Sequence, residues 1–483
     1  MVHTQASPAS PSSSIPLLAC LSLCMLLPAL ATSIANVALP TLAQAFEARF
    51  QDVQWVVLAY LLAITTLIVS VGRLGDLMGR RRLMLVGIGL FIVGSALCGA
   101  SLWLGGLMGL IGARAVQGLG AAVMMALTMA FASEAVPKEK TGSVMGLLGT
   151  MSAVGTALGP TLGGLLISGW GWPLIFLINL PLGAVAFALA WSYLPADRKP
   201  AAQPRARFDV MGSLLLALGI AAYALAMTAG GGLGGFDASQ AVLLLAATVA
   251  AVAFVRMQAR AASPLIQLAL FRQPTLRAGV ATNALVSTVM MTTLVVGPFY
   301  LAGALGLDAA RVGLVMSCGP VVAALVGVPA GRGVDRYGAQ RVMLAGLAAM
   351  ATGAILLPWV PLVVGGVAGM ARVAEYVAPL AVITSGYALF QAANSSAVMA
   401  CAGADQRGAV SGVLNLSRNL GFITGASLMG AVFAWAAGAG DLGAVSPAAL
   451  ATGMRWTYAL AAALLLLALA LAVLDRGRAR VAA

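Results

Sequence analysis

A short charged segment, Gly72-Arg73-Leu74-Gly75-Asp76-Leu77-Met78-Gly79-Arg80-Arg81-Arg82, separates two apolar runs, 55–71 and 83–103. At about 1.5 Å per residue, each run is long enough to cross the hydrocarbon core of a bilayer. The segment then recurs as Gly331-Arg332-Gly333-Val334-Asp335-Arg336-Tyr337-Gly338-Ala339-Gln340-Arg341, again between apolar runs. Gly72, Asp76, Gly79 and Arg82 match Gly331, Asp335, Gly338 and Arg341 in one constant register. A charged turn repeated in register makes the chain two copies of one membrane-embedded unit.

Composition excludes most alternatives. The 483 residues are 61% hydrophobic and only 8% charged, against about 25% charged in soluble domains. The runs do not alternate polar and apolar residues as barrel strands do, so the fold class is an all-α polytopic membrane protein. A net charge of +13 marks one side of the bilayer rather than a nucleic-acid site. The five cysteines are scattered and the only histidine is His3, so no metal site is expected. The N-terminal 14 residues hold no Lys or Arg, and an uncleaved first helix is expected rather than a signal peptide.

Fourteen spanning segments are expected, near 15–38, 53–72, 83–103, 105–132, 142–168, 173–194, 209–229, 239–257, 277–302, 309–331, 342–363, 375–400, 409–435 and 449–474. With the N-terminus inside, Arg73, Arg80, Arg81, Arg82, Lys138, Lys140, Arg198, Lys199, Arg332, Arg336, Arg341 and Arg476 all fall on the inner side. The positive-inside rule then predicts both termini in the cytoplasm of a cell bounded by this membrane. The layout divides into a disordered tail (1–14), a six-helix bundle (15–194), a middle region of loop, two inserted helices and an amphipathic link (195–276), a second six-helix bundle (277–474) and a tail (475–483).

Three features carry chemistry. The two charged turns read as a latch: glycine permits a tight reversal, Asp76 and Asp335 accept hydrogen bonds, and Arg80, Arg82 and Arg341 face anionic lipid. The plainer reading is a positive-inside loop. Gly155, Gly159 and Gly163 lie on one helix face with Pro160 and Gly164 beside them, a ridge for close backbone approach or ordinary packing. Arg114 sits inside an apolar run with Gln117 one turn on. A buried cation in a membrane is costly and calls for a partner, a wet cavity or a snorkelling route. Asn36, Asn283, Tyr300, Gln391 and Asn394 are further polar groups within spans, cavity candidates or inter-helix glue.

Together these stretches resemble the major facilitator superfamily, specifically its fourteen-helix drug:proton antiporter branch. The 72–82 turn and its second copy at 331–341, Arg114 to Gly120 and Gly146 to Gly164 match family motifs. So do Ile175 to Gly183, Gly408 to Gly425 and Leu30 to Pro40. The resemblance implies two six-helix bundles, with two inserted helices, rocking around a central cavity. It implies efflux of small amphipathic molecules driven by proton entry, with no cofactor, and a monomer embedded in the plasma membrane. One departure stands out: Ala31 occupies a position where the family carries an aspartate. Glu375, with Arg372 one turn earlier, is then the candidate proton carrier, or one half of a surface ion pair. A uniporter or exporter of an endogenous anionic or neutral metabolite without that coupling is the alternative. No Walker motif and no cluster of catalytic groups at membrane depth is present in the sequence, so neither ATP drive nor an enzyme is expected.

Overall fold

The structure, a computed structural model, describes residues 14–135, 141–197, 209–228, 238–261, 268–359, 369–401, 407–438 and 445–481. The N-terminal tail, the 198–208 linker and the glycine-rich 230–235 turn lie outside them. The first half holds α1 (Ser14–Ala45), α2 (Phe50–Met78), α3 (Arg80–Gly99), α4 (Gly106–Ala135), α5 (Thr141–Trp170), and the pair α6 (Leu174–Leu177) and α7 (Asn179–Tyr193). Then come α8 (Val210–Thr228) and α9 (Ala238–Arg260). The second half holds α10 (Pro274–Gly303), α11 (Ala309–Tyr337), α12 (Ala339–Leu356), α13 (Gly369–Ala400), α14 (Arg407–Thr424), α15 (Gly430–Ala436) and α16 (Pro447–Val481). The expected C-terminal tail is thus largely a continuation of α16.

Among the described residues, 12 helices are long and apolar enough to span a membrane, where the sequence led us to expect fourteen. The apolar part of α8, Met211–Met227, belongs to a shorter class, and α5, although 30 residues long, is not among the twelve. The chain is a multi-pass membrane protein: Val242, Leu245, Val249 and Val252 on one face of α9 are exposed, a surface that lipid covers and water does not.

The charged turns are tighter than the sequence suggested. Helix α2 continues through Gly72 and Asp76 to Met78, and only Gly79 (φ 92°) separates it from α3. Gly338 (φ 83°) does the same between α11 and α12. Each glycine still donates its N–H back to the helix it ends, Gly79 to Gly75 at 2.9 Å and Gly338 to Val334 at 2.9 Å. One left-handed residue reverses the chain, a conformation that favours glycine.

In the first half α1 packs on α5 and α4 on both α2 and α3; in the second α12 packs on α13 and α10 on α14 and α16. The inserted pair lies outside these bundles. Ser213 of α8 shares a hydrogen bond with Ser70 of α2 at 2.7 Å, and Tyr223 of α8 shares one with Thr424 of α14 at 3.1 Å. Helix α8 therefore touches both halves, and α9 packs on α8. The paired variant Ser70→Cys with Ser213→Cys should form a disulfide under mild oxidation, read as a mobility shift after cleavage in the 198–208 linker. Failure to cross-link would place α8 elsewhere.

Candidate functional site

Arg114 is completely buried in α4. Its Nε donates to the Val56 carbonyl at 2.8 Å, and Nη1 donates to Gln117 Oε1 at 2.6 Å and to the Ala31 carbonyl at 3.3 Å. The guanidinium lies over the Tyr60 ring at 4.0 Å, with Phe176 at 5.9 Å. Gln117 in turn donates to Ser95 Oγ at 2.7 Å, and Tyr60 donates to the Pro28 carbonyl at 2.9 Å. The structure makes Arg114 and Gln117 partners, in a network that ties α1, α2, α3 and α4 together. Carbonyl dipoles and a ring quadrupole hold the cation in place of a carboxylate. Nη2 has no hydrogen-bond partner among the described residues. With only a methyl group at Ala31, nothing on α1 at this level neutralises the charge.

The other candidates do not converge on it. Asn36 is buried and donates to the Thr32 carbonyl of its own helix at 3.0 Å, leaving Oδ1 unpartnered. Asn283 donates across to Leu414 at 3.0 Å, and Asn394 donates to Gly279 at 3.2 Å. Both stitch the second half together near its charged-turn end. Gln391 bonds Tyr387 one turn away. Tyr300, at the other end of α10, stacks on Tyr376 with ring centroids 6.0 Å apart. Glu375 is exposed near the start of α13, and the Arg372 side chain lies outside the described residues.

The glycine ridge of α5 faces two ways. A Cβ on Gly155 would come within 2.5 Å of the Leu26 carbonyl, one on Gly159 within 2.6 Å of Ser33 Cβ, and one on Gly163 within 2.9 Å of Ile34, all on α1. Gly164 faces the second half, where a Cβ would meet the Ala309 carbonyl of α11 at 2.5 Å. Gly313 of α11 lies against the Pro160 carbonyl. Thr161 and Ser317 share a hydrogen bond beside this crossing. Pro160 has no N–H for the Thr156 carbonyl, which accepts instead from Ser33 Oγ at 2.8 Å.

A second crossing went unread in the sequence. Gln54 of α2 donates to the Ala426 carbonyl at 2.9 Å. Ala426 belongs to a π-helical segment, Gly425–Met429, between α14 and α15. Such segments depart from the i→i−4 ladder and often mark functional sites. Next to it Phe50 meets Phe299 edge-on at 4.6 Å and Phe433 at 6.2 Å. Both crossings lie away from the charged turns. A glutamine in an apolar run one turn from its end was the available signal for Gln54.

At the charged end, Asp197 accepts from the Arg81 N–H at 2.8 Å and the Arg82 N–H at 3.2 Å. It caps the start of α3 and fills the space beside Gly79. Arg81 donates to the Trp191 carbonyl. The side chain of Asp76 lies outside the described residues. In the second copy Asp335 and Arg341 are exposed, and among the described residues no atom fills the space beside Gly331 or Gly338. The two turns share a backbone, and the Asp197 cap belongs to the first alone.

The Major Facilitator Superfamily profile matches residues 21–426 and, a second time, 280–482. The chain belongs to this superfamily. It is 32% identical to the multidrug resistance protein Stp of Mycobacterium tuberculosis over 403 residues, 83% of this chain and 72% of the relative. It is 29% identical to the riboflavin transporter RibZ of Clostridioides difficile over 409 residues, 83% and 84% of the two chains. A bacterial homologue of the human lysosomal transporter Spinster, inward-facing and occupied, shares the fold with a TM-score of 0.67 at 14% identity, covering 97% of this chain and 98% of that one. The chain is thus a transporter of this superfamily.

Replacing Gly164 by Val should push α11 away from α5. With Ser317→Cys as reporter, we expect faster alkylation in the Gly164→Val background. An unchanged rate would show that this crossing does not close the seam.

Proposed function

We propose that this protein exports small amphipathic compounds by alternating access, the two halves rocking about the seam made by α5–α11 and α2–α14. The observation that carries the reading is the composition of that seam: close glycine–backbone contacts, two side-chain hydrogen bonds and one aromatic cluster. An interface of this kind separates at modest cost, as a two-state gate requires. We read α5 and α8 as spans that bring the twelve to fourteen, with the charged turns and both termini in the cytoplasm and a monomer in the plasma membrane. The drug-exporter names among the relatives support the substrate class.

A second reading, favoured by the carboxylate-free surroundings of Arg114, is export of an anionic or neutral metabolite without the usual proton coupling. The riboflavin carrier among the relatives fits this alternative. The acids whose side chains are described, Glu47, Asp52, Asp197, Asp209, Asp308, Asp335 and Glu375, lie at helix ends or in connections. The deciding experiment reconstitutes the protein in vesicles loaded with a pH dye and offers lipophilic cations, anions and neutral compounds. Compound-triggered proton movement lost in Glu375→Gln supports coupled efflux; transport with no proton signal supports the second reading; no transport of any compound counts against both.

Ala31→Asp supplies the missing acid beside Arg114. At an effective dielectric of about 20, opposite charges about 4 Å apart attract by roughly 4 kcal/mol before desolvation, enough to redirect selectivity. The expected outcome is a shift of at least about tenfold in preference toward cations, together with new pH dependence. An unchanged preference would remove Arg114 from substrate selection.

A further inference from the structure

A cleft of about 650 Å³ opens at the end of the molecule opposite the charged turns. Small-molecule sites typically enclose about 300–1,000 Å³. The first half contributes Gln44, Glu47, Arg49 and Phe50 to its walls, and the second half contributes Phe299 and Ala302. Its floor is the edge-on Phe50–Phe299 contact that closes the seam.

The charges in the cleft do not cancel. Arg49 is engaged by Asp52, Nε to Oδ2 at 2.9 Å and Nη2 to Oδ1 at 3.1 Å. That carboxylate raises the arginine's pKa further above its ordinary value and keeps the pair neutral as a unit. Glu47 makes no side-chain hydrogen bond or ion pair among the described residues. It is also the one non-glycine residue there with a left-handed backbone (φ 47°). What remains is a negative charge at the wall and two aromatic rings at the base.

We propose that this cleft is a second ligand site, distinct from the Arg114 cluster, that takes a lipophilic monocation. The Glu47 carboxylate meets the charge, and the parts of Phe50 and Phe299 that line the cleft meet the apolar body. Both halves build the site, so it exists in this shape only while Phe50 touches Phe299. A ligand that binds one state of a gate favours that state. Occupancy from this side therefore holds the seam shut and slows turnover.

The test uses the full-length protein purified in detergent, with Cys318→Ser and Cys401→Ser to lower background; Cys20, Cys24 and Cys98 are buried. Ala302→Cys places a thiol in the cleft wall, and its alkylation rate by a charged maleimide is followed with tetraphenylphosphonium or tetraphenylborate, ions of one shape and opposite charge. Tetraphenylphosphonium should slow alkylation severalfold and tetraphenylborate should not. Glu47→Gln should raise the half-protecting concentration by about fivefold, as expected for one exposed ion pair. Glu47→Gly, which removes the charge and suits the left-handed backbone, should do the same in a fold-retaining background. Equal protection by both ions, no protection, an unreactive thiol, or protection unchanged in both Glu47 variants would overturn the proposal. The assay involves no transport, so its result is independent of the export reading.

Discussion

Inside a bilayer a backbone carbonyl that loses its helical donor has no water to turn to. Pro160 creates that situation in the middle of α5, and the consequences organise the seam. The Thr156 carbonyl takes the Ser33 hydroxyl and binds α5 to α1. Four residues on, the Pro160 carbonyl itself lies against Gly313, and Gly164 admits the start of α11. One residue without an N–H thus fixes the helix that belongs to the first half and presents it to the second. Elsewhere on α1 the Pro28 carbonyl accepts from both Thr32 and Tyr60. Tyr60 then stands where its ring covers the Arg114 guanidinium.

Much of this was legible in the chain. Spacing alone put Gly155, Gly159 and Gly163 on one face, and they do pack on one helix. Arg114 stood out as a cation in an apolar run, and the fold buries it completely. The repeat announced two equivalent reversals, and Gly79 and Gly338 supply them. What stayed hidden depends on distance in sequence. Gln54 acquires meaning only through a carbonyl in a π segment, and no local pattern announces where a helix will carry an extra residue. Asp197 looks like any acid in a connection until the fold brings it to the amides of Arg81 and Arg82. The scattered polar residues Asn283 and Asn394 were indistinguishable from cavity groups, because inter-helix glue and substrate ligands use the same side chains.

The two halves share one kind of turn and use it unequally. Each half contains a helix pair joined by one left-handed glycine, yet the first junction is capped by Asp197 while the second is exposed among the described residues. Arg114 likewise sits fully buried, while Arg418 in the second half is only partly buried and bonds Asn415 within its own helix at 2.9 Å. A scaffold copied once thus carries a fully buried arginine in its first half and a partly buried one in its second.

The π segment between α14 and α15 holds one residue more per turn than the helices on either side. Rewinding it into regular α-helix would rotate α15 relative to α14 by about 100°. Phe433 would swing away from Phe50, and the Ala426 carbonyl would return to its own ladder and release Gln54. A slip of one hydrogen-bond register in a single helix would therefore unfasten the α2–α14 crossing without moving either bundle as a body.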